Sequence, residues 1–270
     1  MLENPRSPRV RAVAKLTKRS ARSDTGLYLL EGPQSVREAL TYRPGAIVEL
    51  FTATAGWDKH PDIRAKAADA GIEPVFVTDY VLAAMADTVT PQGLVAVARQ
   101  TPTSGRDVFA AAPRLVAICE EIRDPGNLGT IIRAADAAGA DAVILTGRTV
   151  DPYNPKVVRA TTGSLFHLPV SVAADLEDVV EQAHAAGLSV IAADVKGDDL
   201  LAARAEGVLA RPTGWLFGNE AHGLEDAALA LADHVLKLPI FGRAESLNLA
   251  TAASVCLYES AFAQRAASVS

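Results

Sequence analysis

The stretch from Leu115 to Leu145 constrains the fold of this chain more than any other. An apolar run, Leu115 to Cys119, ends in the loop Asp124-Pro125-Gly126-Asn127, and apolar residues then recur at helical spacing until Gly139. A second apolar run follows at Ala142 to Leu145. The pattern predicts a strand, a loop, a helix and a second strand.

Polar residues of this stretch lie where a functional site is expected. Ligand sites of α/β domains tend to lie at the carboxyl ends of strands. Asp124, Asn127 and Arg133 follow the end of a predicted strand, so they are candidate site residues. Pro and Gly are also ordinary turn residues, so the loop by itself fits a plain turn equally well.

The composition narrows the class of protein. A chain of 270 residues, 49% of them apolar, can bury a core for one large domain or two modest ones. Cys119 and Cys256 sit in apolar surroundings and match no metal or disulfide spacing, which indicates a reducing compartment. Because no apolar run approaches the length of a membrane span and the N-terminus lacks a signal-peptide core, we expect a cytoplasmic protein that does not contact a membrane.

Charge is distributed unevenly along the chain. The net charge of −6, taken globally, argues against nucleic-acid binding. The first 24 residues are nevertheless basic, because Glu3 and Asp24 are outnumbered there by Arg6, Arg9, Arg11, Lys15, Lys18, Arg19 and Arg22. Such an arm can contact phosphates, and a solvated surface helix is the alternative.

Alternating apolar runs and turn residues predict a small α/β unit after the arm. Its strands are expected at Leu27 to Leu30, Ile47 to Thr52, Glu73 to Val77 and Leu94 to Ala98. The polar segment Gln100 to Arg106 has the composition of an exposed linker. We therefore predict three parts: a basic arm (1–24), a small domain (25–105) and a larger domain (106–270).

Strands and helices also alternate in the larger domain. Further strands are expected at Ser189 to Ala193, Trp215 to Phe217 and Val235 to Leu238, and a closing helix at Leu249 to Ala263. This alternation predicts an α/β fold with a largely parallel sheet. The motifs GxGxxG, GxxxxGK[ST] and GxSxG and any His/Cys zinc cluster are absent from the sequence, so we expect no metal, and the sequence lacks the motifs of most common enzyme classes.

Three polar clusters remain, and each follows an apolar run with strand character. They are Asn127 with Arg133, the loop Gly218-Asn219-Glu220-Ala221-His222-Gly223-Leu224, and Glu245-Ser246-Leu247-Asn248. Each is compatible with a plain turn, but all three can lie at the same edge of one sheet. A glycine-bounded loop also lets backbone groups approach a ligand closely.

Together these clusters resemble the three motifs of the SpoU, or TrmH-like, RNA 2′-O-ribose methyltransferases of the SPOUT superfamily. The matching segments are DPGNLGTIIRAADAAG, LFGNEAHGL and LPIFGRAESLNLATAASVCLYE. The resemblance covers the chain from about Leu115 to the C-terminal helix. The unit before it, with LYLLEGPQSVREAL, is similar to the L30e/L7Ae-like RNA-binding domain that many members carry.

The resemblance implies a SPOUT domain with a parallel sheet and a trefoil knot, a homodimer with the active site at its interface, and S-adenosylmethionine as the methyl donor. It implies that the cofactor is bound by Gly218, Asn219, Glu220, Ile240, Leu247 and Asn248. It assigns catalysis to Arg133, Glu220, Ser246, Asn248 and Asn127. No metal is needed, because the sulfonium already supplies the electrophile.

Arg133 has the central role in the chemistry that the resemblance implies. A ribose 2′-hydroxyl is a weak acid, so its methylation needs a group that takes the proton and groups that hold the oxyanion. The family assigns hydroxyl activation to the residue matching Arg133, yet a guanidinium keeps its proton in proteins. We hypothesise that Arg133 clamps the target phosphate and stabilises the oxyanion, with the proton leaving late. Glu220, Ser246 and Asn248 would orient Arg133 and the ribose, and Asn127 would brace the first loop.

The resemblance implies an RNA substrate without naming it. The arm and the extra domain favour ribosomal RNA, 23S above all, in a housekeeping or an antibiotic-resistance role, over transfer RNA. Phosphate contacts are expected from Arg9, Arg11, Lys15, Lys156 and Arg159, with a solvated helix face as the alternative for the last two. Two other functions stay open: methylation of a base nitrogen, and RNA binding without catalysis.

Overall fold

The computed structural model describes residues 1–173 and 175–267, which form two compact units. Unit 1 consists of Met1–Thr101 and Asp151–His167, and unit 2 consists of Pro102–Val150 and the chain from Leu168 onward. The sequence predicts three parts, with boundaries after residues 24 and 105, whereas the structure groups residues 1–101 with the segment 151–167 in unit 1. None of the described helices is long and apolar enough to cross a membrane.

Unit 1 is built on a mixed sheet of four strands. Its elements from the N-terminus are α1 (Pro8–Lys15), α2 (Arg19–Thr25), β1 (Leu27–Glu31), α3 (Gly32–Tyr42), β2 (Ile47–Thr52), α4 (Thr54–Asp58), α5 (Pro61–Asp69), β3 (Pro74–Phe76), α6 (Asp79–Met85) and β4 (Leu94–Arg99). The strand order is β1-β4-β2-β3. β4 pairs antiparallel with β1 and β2, and β2 pairs parallel with β3.

The basic arm is folded into unit 1. Val10 and Val13 on α1 are buried in an apolar cluster with side chains of the sheet, because they lie on one face of the helix. Arg22 on α2 is 2% exposed and forms an ion pair of 2.7 Å with Asp151. The arm is therefore held by apolar burial and by a buried charge pair.

Unit 2 is built on a sheet of six strands. The elements that follow β4 are α7 (Gly105–Ala110), β5 (Leu115–Glu120), α8 (Pro125–Ala138), β6 (Ala142–Thr146), α9 (Pro155–Thr161), β7 (Val170–Val172), α10 (Leu176–Ala185), β8 (Ser189–Asp199), α11 (Leu200–Ala205), β9 (Thr213–Phe217), α12 (Asp226–Leu229), β10 (His234–Lys237) and α13 (Leu249–Ala267). All of them except α9 belong to unit 2. The strand order is β10-β8-β9-β5-β6-β7 and every pair is parallel, which confirms the parallel sheet that the sequence predicts.

The strand order of unit 2 brings together the loops that carry two of the three polar clusters; the three are called the polar loops below. β5 lies between β6 and β9, with Cys119 opposite Phe217 at the carboxyl ends of β5 and β9. The strands β5, β6 and β9 are almost entirely buried, as is typical of parallel strands with helices on both faces. The loops that follow β5 and β9 are therefore neighbours at the same edge of the sheet.

Candidate active site

The first of the three polar loops joins β5 to α8, and the start of α8 fixes its conformation. The carboxylate of Asp124 accepts a hydrogen bond of 2.7 Å from the backbone N–H of Asn127, and Pro125 occupies the first turn of the helix. Asp at the N-cap followed by Pro is a strong local signal for a helix start, worth about 1 kcal/mol for the cap. The helix ends at Gly139, whose φ of 76° is left-handed. Local sequence alone thus places Asn127 in the first turn of α8.

The second polar loop, residues 218–224 after β9, folds back on itself, and two glycines make this possible. A Cβ atom at Gly218 would lie 2.5 Å from the carbonyl of Gly223, and Gly223 has a φ of +68°. Asn219 and Gly223 exchange two backbone hydrogen bonds of 3.0 and 2.9 Å. The side chain of Asn219 also donates to the carbonyl oxygen of Glu121 at 2.9 Å, which joins this loop to the end of β5. The turn places Glu220 at its tip.

Glu220 ties the second loop to the first. Its carboxylate accepts hydrogen bonds from the backbone N–H groups of Arg123 and Asp124, at 3.1 and 3.0 Å. The side-chain amide of Asn127 also donates to it, at 3.3 Å. The carboxylate lies beside the N-terminus of α8, where the helix dipole favours a negative charge. The Glu220 side chain therefore orders the loop that carries Asn127.

The third loop reaches the same place through Asn248. The side-chain oxygen of Asn248 accepts from the backbone N–H groups of Ala250 and Thr251, at 3.0 and 3.3 Å, and so caps α13. Its amide nitrogen donates to the side-chain oxygen of Asn127 at 3.0 Å. Asn248, Asn127 and Glu220 thus form one hydrogen-bonded chain that joins all three polar loops.

The helices α8 and α13 run side by side in the same direction. Asn127 and Asn248 meet near their N-terminal ends, and the hydroxyl of Tyr258 donates to the carbonyl oxygen of Ala137 near the other end. The third loop therefore returns from β10, at the edge of the sheet, to β5 in its middle.

Arg133 lies apart from this hydrogen-bonded chain. It is exposed on α8 between buried neighbours, and it has no hydrogen-bond or ion-pair partner among residues 1–173 and 175–267. Six residues of helix separate it from Asn127, a rise of about 9 Å. Glu220 and Asn248 bond to the first loop instead of to Arg133, and exposed Ser246 bonds to no other described residue. Glu220 and Asn248, which the sequence predicts to orient Arg133, therefore hold Asn127 in this structure, and the predicted role of Asn127 stays a prediction.

The residues predicted to bind the cofactor lie in the second and third loops. Gly218 follows β9 directly, and Ile240 and Leu247 lie between β10 and α13 with 38% and 42% of their surface exposed. Phe241 in the same loop is 88% exposed and was not singled out from the sequence. The sequence nevertheless contains a signal for Phe241, because it is an aromatic residue inside the third motif. The third loop thus leaves several apolar side chains uncovered.

A cavity of about 470 Å³ lies beside the second loop and is acidic. Its charged and polar lining is Glu120, Glu121, Arg148, Asp175, Glu177, Asn219, His222 and Glu225. Burial raises the pKa of Glu120, and the charges of Glu121, Asp175 and Glu225 raise it further. One oxygen of Glu120 is buried without a hydrogen-bond partner in the described part of the chain. An RNA phosphate would be repelled here, and the described residues contain no group of three or more His, Cys, Asp or Glu that could hold a metal.

Two of the five residues predicted to contact RNA are engaged in ion pairs within unit 1. Arg9 bonds to Glu49 at 2.6 Å, with its guanidinium over the ring of Phe51. Arg159 on α9 bonds to Glu31 at 3.0 Å and also to a second carboxylate. Both arginines therefore fasten elements of unit 1 to one another.

The other three, Arg11, Lys15 and Lys156, are exposed and have no ion-pair partner among the described residues. Arg11 and Lys15 are four residues apart and share one face of α1, and Lys18 and Arg19 continue the exposed positive charge beyond its end. The sequence could not separate these free cations from the paired ones, because the partners of Arg9 and Arg159 are distant in the chain.

The region that carries the three loops matches a family model. The model, described as the SpoU rRNA Methylase family, covers residues 114–258, more than half of the chain. The chain belongs to this family. A second model, the MRM3-like substrate binding domain, matches residues 7–96 of the SpoU chain. The family recognised from the three motifs is confirmed.

Full-length relatives agree with this membership. The SpoU chain is 33% identical over 257 residues to the 23S rRNA (guanosine(2553)-2′-O)-methyltransferase RlmP of Bacillus subtilis, which covers 95% of this chain and 97% of that protein. The AdoMet-bound rRNA methyltransferase from Sinorhizobium meliloti has a TM-score of 0.81 at 32% identity, with 96% of each chain covered. The SpoU methyltransferase AviRb from Streptomyces viridochromogenes, in complex with AdoMet, also has a TM-score of 0.81, at 30% identity, with 97% of this chain and all of that chain covered.

Proposed function

We propose that this SpoU-family chain transfers a methyl group from S-adenosylmethionine to a ribose 2′-hydroxyl of 23S ribosomal RNA. The observation that carries the proposal is the hydrogen-bonded chain of Asn248, Asn127 and Glu220, which joins the three motif loops at the carboxyl edge of the sheet. The names of relatives support the substrate class, since those of Bacillus subtilis and Bordetella pertussis are 23S rRNA 2′-O-methyltransferases.

The second and third loops suit S-adenosylmethionine. Ile240 and Leu247 leave apolar surface uncovered, which fits an adenine ring, and Gly218 lets the second loop fold back on Gly223 without a steric clash. Asn219, Glu220 and Asn248 hold the two loops in place and supply polar atoms at their edge. The cofactor supplies an electrophilic methyl group on a sulfonium, so no metal is required.

Arg133 holds the RNA at this site. Its guanidinium stays protonated, so it donates hydrogen bonds to the target phosphate and to the oxygen on which negative charge develops. Its exposure and its lack of a described partner leave its donors available for this contact. Asn127 and Ser246 orient the ribose, and Glu220 keeps Asn127 in place.

RNA approaches through unit 1. This unit carries 15 Lys and Arg against 12 Asp and Glu, whereas unit 2 carries 11 against 20. The exposed cations on and after α1, namely Arg11, Lys15, Lys18 and Arg19, offer a row of phosphate contacts, and Lys156 adds another on α9. The acidic cavity of unit 2 repels phosphate and limits nonspecific contact there.

The active enzyme is a homodimer of this chain. Val255 and Phe262 on α13 are 39% and 53% exposed, and they fall on one face of the helix with exposed Thr251. Docking of a second copy on this face covers the apolar side chains and adds its loops to the site. The return of the third loop from β10 to β5 supports a knotted chain, and the buried free thiols Cys119 and Cys256 suit the reducing cytoplasm.

Methyl transfer from labelled S-adenosylmethionine to protein-free 23S, 16S and transfer RNA tests this proposal. We expect label in 23S RNA that is lost in Arg133→Ala and kept in Arg211→Ala, which removes another exposed arginine of unit 2. Label in transfer RNA alone would overturn the substrate class, and label in none of the three would overturn the proposed activity on free RNA.

A further inference from the structure

An exposed aromatic pair lies on unit 1, outside the residues assigned to catalysis or phosphate contact. Tyr42, the last residue of α3, is 54% exposed. Its ring centroid lies 4.4 Å from that of His167, with 60° between the ring planes. A tilted ring contact of this kind restricts how both side chains can rotate. Tyr42 is therefore an exposed aromatic side chain with a restricted orientation.

His167 is itself held by α3. Its Nε2 atom lies 3.1 Å from one carboxylate oxygen of Glu38, and the other oxygen accepts a hydrogen bond of 2.9 Å from the side chain of Gln34. Glu38 and Tyr42 are four residues apart, so they share one face of the helix. His167 thus contacts two successive turns of α3, and the contact with Glu38 fixes the ring against which Tyr42 packs.

The approach of this segment to α3 depends on Gly163. Its φ of +109° is disfavoured for other residues, and a Cβ atom there would lie 2.9 Å from the Cβ atom of Glu38. Gly163 therefore allows His167 to reach Glu38 and Tyr42. The pair is built from two chain segments far apart in sequence, with a glycine where they meet.

An unpaired RNA base fits this surface. Proteins bind unstacked RNA bases on exposed aromatic rings, with nearby cations on the adjoining phosphates. Arg43 follows Tyr42 directly and is exposed, with no ion-pair partner in the described ranges, and unit 1 has an excess of positive charge. We infer that Tyr42 and His167 form a stacking platform for one unpaired base of the RNA substrate, an inference that rests on the proposed function.

Equilibrium binding to two RNA probes tests the platform in the full chain. One probe is a single-stranded RNA with one 2-aminopurine, and the other is the fully paired duplex of the same sequence. Tyr42→Ala should weaken binding to the single strand about tenfold, within the range of base–aromatic stacking, and abolish the quenching of 2-aminopurine. Tyr42→Phe and Tyr42→Trp keep a ring and should bind like the wild type or more tightly.

Salt dependence separates stacking from charge. Tyr42→Ala should leave the slope of log K against log salt unchanged, because no counterion is released by a tyrosine, whereas Lys15→Gln should reduce it by about 0.7 for a single strand. Tyr80→Ala is the matched control, since Tyr80 is 72% exposed and has no ring contact among the described residues. It should bind like the wild type.

Three results would overturn the platform: unchanged binding in Tyr42→Ala, an equal loss in Tyr80→Ala, or an equal loss on the duplex. Methyl transfer by the wild type, measured in parallel, keeps the two proposals apart. If the wild type methylates 23S RNA but Tyr42→Ala binds normally, only the platform fails. If no RNA is methylated but the Tyr42-dependent quenching is present, the platform stands and the proposed function fails.

Discussion

Replacement of Glu220 by glutamine tests how the three loops are held together. The carboxylate accepts from the backbone N–H groups of Arg123 and Asp124 and from the amide of Asn127. Glutamine has one acceptor oxygen, and its NH₂ group must face at least one N–H that now lacks an acceptor. The variant keeps the size of the side chain, so its effect reports the hydrogen bonds and the charge alone.

The size of the effect follows from these contacts. A hydrogen bond to a charged group contributes about 1.5–3 kcal/mol, and the exposure of this site reduces that to about 1–2 kcal/mol for the bonds lost in Glu220→Gln. For a unit of this size the melting temperature falls by about 2–4 °C per kcal/mol, so we expect a decrease of about 2–8 °C by scanning calorimetry. Methyl transfer should fall as well, because Asn127 loses its brace.

Glu225→Gln is the matched control for Glu220→Gln. It removes the same charge five residues further along, from an exposed side chain that makes no hydrogen bond within the described chain. We expect its melting temperature to stay within about 1 °C of the wild type, as is usual for surface substitutions. Equal shifts in the two variants, or no shift in Glu220→Gln, would refute the claim that Glu220 orders the first loop.

Three further predictions follow from the site and its surroundings. Arg133→Lys should lower turnover by about 10²-fold or more with little change in melting temperature, because lysine cannot form the planar clamp; near-normal turnover would exclude such a clamp. Gly218→Ala should weaken cofactor binding, measured by calorimetry, because its Cβ atom would meet the carbonyl of Gly223; unchanged affinity would show that the loop adapts. Burial acts to raise the pKa of Asp233, but a backbone N–H and the His184 ring bond to its carboxylate and hold that pKa below its usual value. This stabilisation is present above the unfolded-state pKa of about 3.9 and is lost as the pH falls through the folded-state value. Asp233→Asn should therefore melt below the wild type at pH 7, with a gap that narrows as the pH falls below about 3.9; a constant gap would contradict this.

Local signals explain why the core of unit 2 could be predicted from the sequence. The helix α8 begins at an Asp-Pro cap and ends at Gly139 in a left-handed conformation, both of which can be recognised in the sequence. The strands β5 and β6 are continuous apolar runs, as expected for parallel strands that are buried on both faces. The first two motif loops then meet because β5 and β9 are neighbours in the sheet, and the third loop joins them because α13 packs beside α8.

Contacts between distant residues explain what the sequence could not predict. Arg22 and Arg159 look like free cations in the sequence, yet they pair with Asp151 and Glu31, which are 129 and 128 residues away in the chain. The same contacts draw the segment 151–167 into unit 1, although it lies inside the span of the methylase family. No periodicity or motif encodes such a pairing, because in the sequence each partner alone looks like an ordinary charged surface residue.

The position of Arg133 shows a second limit of prediction from the sequence. Motif resemblance groups it with Glu220 and Asn248, and the structure joins those two residues to Asn127 instead. Arg133 is exposed and has no hydrogen bond or ion pair with another described side chain that would fix its geometry. Its function must therefore be measured on RNA.

The position of the transferred methyl group distinguishes methylation of the ribose from methylation of a base. RNA labelled by the wild-type chain is hydrolysed with alkali, which needs a free 2′-hydroxyl to cleave the chain. We expect label in an alkali-resistant dinucleotide, because a methylated ribose blocks cleavage at that position, and no such product from Arg133→Ala. Label recovered in an ordinary mononucleotide would place the methyl group on a base and contradict ribose methylation.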